Sequence, residues 1–127
     1  MDTEAVARRL VEAYNRGSPA WVDECHAKTT EWIELPFLGG PGRQGGFAEL
    51  RKAAEDQVVN FPDRRMTILN IVASADQAAL EVEWRGTATR TMAWAEAGQI
   101  LRLRAVMMLT VADDGVVREV DYVIPLP

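Results

Sequence analysis

Val6, Leu10, Val11, Ala13 and Tyr14 recur at helical spacing in an otherwise charged stretch, and Gly17 stops the pattern, so the chain opens on an amphipathic helix. Asp2 or Thr3 can cap it, because a short side-chain oxygen there satisfies an orphan backbone N–H. Ser18-Pro19 opens a second, short helix, with Ser18 as cap and Pro19 at its first position, and Trp21, Val22, Cys25 and His26 follow on it. Thr30 to Leu35 is β-branched and aromatic and ends at Pro36, which predicts a short strand. Gly39-Gly40-Pro41-Gly42 and Gly45-Gly46 predict a loop without regular structure. It is no phosphate cradle, since Phe47-Ala48 stands where the Walker pattern needs Lys and Ser or Thr. A third helix is expected from about Phe47 to Asn60, with Leu50, Ala54, Val58 and Phe61 on one stripe.

After Pro62 the period changes from helical to alternating. Strands are expected over Met66 to Ala75, Leu80 to Thr91, Gln99 to Val111 and Val116 to Ile124, with turns at Asp76-Gln77 and Asp113-Asp114-Gly115. Three helices followed by four long antiparallel strands imply an α+β domain with its helices on one face of the sheet.

Alternation sorts the strand residues. Leu101, Leu103, Ala105, Met107, Leu109 and Val111 share an apolar face that should cover a pocket or core. Arg102, Arg104, Val106 and Met108 take the other face, a mixture that suggests a dimer interface. Leu80, Val82 and Trp84 go together, leaving Glu81 and Glu83 to pair across strands with Arg102 and Arg104. In the last strand Val120, Tyr122 and Ile124 oppose Glu119, Asp121 and Val123.

Composition narrows the functional classes. A chain of 127 residues, 48% hydrophobic and 26% charged, is expected to form one domain over 1–127 with a real core. A net charge of −5 argues against nucleic acid, which requires a basic stripe. Met1-Asp2-Thr3-Glu4 shows no signal peptide and no apolar run reaches membrane-spanning length, so no membrane partner is expected and the cytoplasm is the default location. Cys25 is the only cysteine and reads as a small core residue. His26, the only histidine, has no partner at metal-ligand spacing, so no metal is expected.

Two acids carry the candidate chemistry. Asp121, flanked by Val120 and Tyr122 on an apolar strand, is either a buried acid raised toward the range useful for proton transfer or a salt-bridge partner of Arg102, Arg104 or Arg118. Glu34 shares a strand face with Trp32; because a tryptophan is costly to leave exposed, that face is expected to point inward, with Trp32 as wall and Glu34 as polar handle. Tyr14 is core with a hydroxyl able to reach a cavity, and His26 could stand at the pocket mouth. No serine or cysteine comes with a base, so a nucleophilic triad has no support.

Phe61-Pro62-Asp63 closes the third helix, and about twenty residues later Glu83-Trp84-Arg85-Gly86-Thr87 forms a strand tip that turns at Gly-Thr. With Tyr14-Asn15-Arg16-Gly17, His26 through Pro36 and Asp113-Asp114-Gly115-Val116-Val117 in the same order, nearly the whole chain resembles the cone-shaped domains of the nuclear transport factor fold, and among them the SnoaL-like polyketide cyclases. The resemblance implies three N-terminal helices on the concave face of a curved antiparallel sheet, around one deep apolar pocket. Asp121 matches the cyclases' acid, one residue nearer the hairpin glycine than usual, a slip that turns it to the other face unless a bulge restores the register. The cyclases' partner histidine falls at Met107. The three polar positions of ketosteroid isomerases on this fold fall at Leu35, Leu10 and Met107. Limonene-type epoxide hydrolases are similar at Trp32, Glu34 and Asp121-Tyr122, but Glu81-Val82-Glu83 stands in place of their Arg-x-Asp pair.

The resulting expectation is a cofactor-free enzyme of cyclase or isomerase type, acting on a small apolar polyketide- or terpenoid-like molecule by general acid–base catalysis. Asp121 is its acid, Glu34 the second acid or orienting group, and Tyr14, His26, Trp32, Phe37, Phe61, Trp84, Leu103 and Met107 contact the substrate. A limonene-type epoxide hydrolase and a non-catalytic ligand-binding or dimeric interaction domain are the alternatives. Carboxyl or hydroxyl groups converging in the cavity favour an enzyme; a wholly apolar cavity favours binding. A homodimer through the outer sheet face is expected.

Overall fold

Asp2 caps the first helix, α1 (Thr3–Asn15), its side chain accepting the Ala5 N–H at 3.0 Å in a computed structural model that describes residues 2–127. The second helix, α2 (Trp21–Cys25), starts later than expected: Ser18 Oγ accepts the Ala20 N–H at 3.0 Å and organises the turn before the helix instead of capping it. His26 is not on this helix. It is extended and opens strand β1 (His26–Glu34), which begins four residues before Thr30 because His26 already pairs with Val116. The glycine-rich stretch contains a short edge strand, β2 (Arg43–Gly45), antiparallel to Trp32–Glu34. The Glu49 side chain lies where a Gly45 Cβ would stand, 2.6 Å away, so glycine is what lets this segment seat on the sheet. Helix α3 (Phe47–Asn60) has its expected bounds, and Glu49 Oε1 accepts the Gly46 N–H at its start.

Strands β3 (Arg65–Ala73), β4 (Gln77–Thr87), β5 (Ile100–Ala112) and β6 (Gly115–Pro125) complete a six-stranded sheet of order β2-β1-β6-β5-β4-β3 among the described residues. The sheet is mixed, where antiparallel pairing was expected throughout: β1 lies parallel to β6. Alternation reports which face a residue takes and is silent on the direction of a neighbour far along the chain. The parallel pair is closed by the long crossover through α3, β3, β4 and β5.

The second long strand ends at Thr87, short of the expected Thr91. Asp63 takes the Thr87 backbone N–H at 2.8 Å and its hydroxyl at 2.7 Å, which pins the strand tip to the end of α3. Phe61 packs edge-on against Trp84 at 5.1 Å, and Gly86 must be glycine because a Cβ there would meet the Trp84 ring at 2.8 Å. The two motifs that mark this chain are thus two halves of one contact. The released segment 88–99 carries Trp94 back over Phe61 at 5.5 Å and Phe37 at 6.1 Å.

The inward residues Leu80, Val82, Trp84, Leu103, Met107 and Leu109 form one core with Leu10, Tyr14, Leu50 and Phe61 of the helices. A bulge decides what β6 contributes. Thr110 pairs with Arg118 but Val111 pairs with Val116, leaving Val117 as the extra residue. Val116 and Glu119 are therefore both buried although three residues apart, and Asp121 lines the interior alongside Glu119. On the outer face Glu83 meets Arg102 at 3.0 Å and Glu81 meets Arg104 at 3.4 Å, while Arg118 lies 3.7 Å from Glu31. Those arginines leave Asp121 unpaired by any of them. No helix among the described residues is long and apolar enough to cross a membrane.

Gly115 tests the hairpin that feeds the bulge. Its φ is +119° and an added Cβ would stand 2.7 Å from the Cys25 carbonyl oxygen. Gly115→Ala should lower stability in urea unfolding by about 3 kcal/mol. Gly98→Ala, with φ +85° but open space around it, should cost only about 1 kcal/mol. Equal losses would show that contact with the α2–β1 junction contributes nothing.

Candidate active site

Between the helices and the sheet lies a cavity of about 170 Å³. Trp32, Phe61, Trp84, Leu103 and Met107 line it as the sequence suggests, with Phe37 and Tyr14 also among its walls. Trp94, Arg43, Gln57 and Glu119 line it too and were not singled out from sequence. Trp94 sits on the irregular excursion, where no period flags it. Glu119 carried a signal, since the period of two places it on the same face as Asp121.

Tyr14 is committed to the wall. Its hydroxyl donates to Gln57 Oε1 at 2.7 Å and accepts from Trp84 Nε1 at 2.6 Å, tying α1, α3 and β4 together. Burial pushes the phenol far above its ordinary range, and Arg64, stacked 4.4 Å from the ring, only partly offsets this. Tyr14 is therefore a neutral structural hydroxyl. Cys25 is buried and its thiol is pushed up to about 11 by that burial, consistent with a core residue.

Four carboxyl side chains line the cavity, and one of them, Asp56 on α3, is paired with Lys52 at 2.9 Å. Glu34 stands in register with Asp121 across β1 and β6, and Arg43 holds it through two hydrogen bonds at 2.9 and 3.1 Å. Asp121 Oδ2 accepts Trp32 Nε1–H at 3.1 Å, while Oδ1 is buried with no partner among the described residues. Glu119, only 2% exposed, lies 2.8 Å from His26 Nε2. His26 is not among the lining residues; it sits behind Glu119 with its ring edge-on to Trp21 at 5.4 Å.

Burial dominates the protonation of this cluster. It pushes Glu119 up to about 7, with the neighbouring Asp121 side chain opposing the effect and the Glu34 charge adding to it. Asp121 is raised well above the carboxylate range by burial first, then by the neighbouring Glu119. His26 is pushed down to about 4 by burial, so it is neutral near pH 7. Two buried carboxyls two residues apart on β6, both with raised proton affinity, thus face a largely apolar cavity, an arrangement suited to giving and taking protons.

This cluster has a stability signature. A carboxyl raised in the folded state contributes fully below its unfolded value near 4.5, and the contribution is lost as pH rises toward 7. His26, depressed to about 4, acts in the opposite sense, losing stability as pH falls from 6.5 to 4. Above pH 6.5 the comparison isolates the carboxyls. Glu119→Gln should therefore stabilise the protein at pH 8 by up to about 3 kcal/mol in urea unfolding. Its advantage over the parent should shrink as pH falls to 4.5; an advantage independent of pH would show that Glu119 is not raised.

The profile of the SnoaL-like domain family matches residues 7–120. IdmH from Streptomyces antibioticus superposes with a TM-score of 0.81 at 20% identity, over 97% of this chain and 92% of that one. AclR from Streptomyces galilaeus gives 0.80 at 20% identity, over 96% of this chain and 78% of that one. A SnoaL-like polyketide cyclase from Agrobacterium tumefaciens gives 0.77 at 12% identity, over 98% and 92%. No curated protein matches by sequence. Because the family profile spans nearly all of the elements that build the cavity, the chain belongs to the SnoaL-like domain family.

Proposed function

We propose that the cavity is the active site of a cofactor-independent enzyme of cyclase or isomerase type, performing general acid–base chemistry on a small uncharged molecule. The observation that carries this reading is the convergence of Asp121 and Glu119 in an apolar cavity, both with proton affinities raised by burial. Near neutral pH one carboxyl is protonated and the other ionisable. The pair can deliver a proton to a carbonyl oxygen while taking one from the adjacent carbon, which is the proton balance of enol formation. Aromatic walls supply apolar contact area and exclude water.

Size and charge narrow the ligand. A cavity of about 170 Å³ is close to the roughly 150 Å³ that accommodates benzene, so one ring fits in the shape described here. Its one lining cation among the described residues, Arg43, is bound by Glu34, so an anionic ligand meets four carboxyl side chains and no free positive charge. The epoxide hydrolase alternative gains nothing from the geometry, because Glu81 and Glu83 turn to the outer face and pair with arginines there.

The test is exchange of the α-protons of cyclohexanone in D2O, followed by NMR. The parent should accelerate exchange, and Asp121→Asn should remove about a hundredfold or more of that acceleration. Glu34→Gln should lose less, since Glu34 is held by Arg43 at the edge of the site. Benzoate should not compete. Exchange at the buffer rate, with cyclohexanone nonetheless bound, would replace the enzymatic reading with a ligand-binding one.

We also propose a homodimer through the outer sheet face. Tyr122 is 45% and Ile124 64% exposed there, in register with Val106 and Arg104 respectively. Light scattering should give about 28 kDa, twice the 14.1 kDa chain, and Tyr122→Glu should give the monomer. A monomeric parent at micromolar concentration would leave this apolar patch without a role.

A further inference from the structure

Behind the two carboxyls stands a third buried group that no acid–base scheme for this site has yet used. His26 Nε2 is 2.8 Å from Glu119 Oε1, with side-chain exposures of 0% and 3%, so the contact is sealed from water. His26 comes from the first residue of β1 and Glu119 from the middle of β6, and the bulges in both strands bring them together. The other ring nitrogen, Nδ1, is buried without a hydrogen-bond partner among the described residues. The carbonyl of Val22, one turn earlier, accepts the His26 backbone N–H and also faces the ring, but makes no hydrogen bond to Nδ1.

An orphaned acceptor in a protein interior is tolerated better than an orphaned donor. The tautomer that leaves Nδ1 bare and puts the proton on Nε2 is therefore favoured. In that tautomer Nε2–H donates to Glu119, and a carboxylate accepts such a bond more strongly than a neutral acid does. Asp121, two residues along β6, has Oδ2 held by Trp32 Nε1–H, while Oδ1 is buried with no donor aimed at it, so Oδ1 is the oxygen left to carry the pair's proton. Each carboxyl is thus held by one N–H from outside the pair: Glu119 by His26 and Asp121 by Trp32.

We infer that His26 is a positioning residue that polarises the carboxyl pair, holding Glu119 as the ionised member so that the shared proton rests on Asp121. Resting on the acid–base reading above, this assigns the roles within it: Asp121 is the acid that protonates the ligand oxygen, and Glu119 is the base that receives the proton from carbon. The titratable and charged groups around the chain are Glu34 with its partner Arg43 on β1 and β2, Tyr14 on α1, Cys25 on α2 and Asp56 on α3. Tyr14 and Cys25 are neutral near pH 7, their protons held by burial. Glu34 is the charge that acts on both carboxyls.

The experiment is done on the ligand-free protein, so it does not depend on turnover. Nitrogen-15 NMR of the single histidine at pH 7 should show the neutral Nε2–H tautomer. Carboxyl carbon-13 titrations should show Glu119 ionising before Asp121. In His26→Phe, which keeps the ring volume and removes the donor, Glu119 should titrate higher by about one pH unit or more, a tenfold change in proton affinity. His26→Gln places an amide N–H near the same point and should return most of that change. The Nδ1–H tautomer, with Asp121 ionising first, would reverse the roles and overturn the inference while leaving the acid–base site in place. So would identical Glu119 titrations in the Phe and Gln variants. If His26→Phe does not fold, the tautomer and the order of ionisation in the parent decide the matter alone.

Discussion

A β-strand offers one face only every second residue, so the single extra residue at Val117 determines what β6 sends inward. Without it, the parity set by buried Val116 would aim Val120 and Tyr122 at the cavity and turn Glu119 and Asp121 to the outer face, beside Arg104 and Arg118. With it, the hairpin at Gly115 can be one residue short and both acids still point inward. The same register lays Glu34 beside Asp121 and Trp32 beside Glu119 across the parallel pair. Polar chemistry inside this fold therefore hangs on one backbone irregularity rather than on the identity of any one side chain.

Bringing two carboxyls indoors is unfavourable, and the surrounding structure shows how the cost is limited. No arginine neutralises them; their partners are a tryptophan N–H and a neutral imidazole. Full neutralisation by a buried cation would leave two ordinary carboxylates with little capacity to hold a proton at pH 7. Weak, directional donors keep the pair oriented while leaving its proton affinity high. The opposite wall is built differently: the Trp84–Tyr14–Gln57 chain satisfies its polar atoms internally and is finished as structure. One wall is saturated and the other is left hungry, and that asymmetry locates the chemistry.

Much of this was legible in the sequence because it depends on short-range periodicity. The bounds of α3, the inward face of β5, and the Glu–Arg partnerships of the outer face all follow from spacing. Asp121 and Glu34 were found because acids amid apolar neighbours stand out. What stayed hidden depends on long-range pairing. His26 looked helical from its neighbours, and only Val116, ninety residues away, makes it a strand residue. β2 was hidden by its glycines, which the close approach of Glu49 requires. Trp94 lies on a segment with no period. Glu119 was visible on the right face, but its significance rests on His26 lying behind it, a contact that no local pattern encodes.

The relation to other sites on this scaffold now has a physical form. Met107 pairs directly with Asp121 across β5 and β6, at the position where the resemblance places the cyclases' histidine. A thioether there cannot give or take a proton, so Asp121 has no proton-transfer partner on β5, and its one hydrogen bond comes from Trp32 on β1. The partner has moved to the same strand, two residues back at Glu119, and the imidazole has moved behind it to the start of β1. Exchanging a histidine for a carboxylate as the second group changes the charge the site tolerates. A histidine beside an aspartate gives a site able to become neutral overall as an ion pair. On the acid–base reading proposed above, two carboxyls holding one proton would carry a net negative charge, so neutral ligands whose oxygen accepts a proton would fit this cavity better than anions.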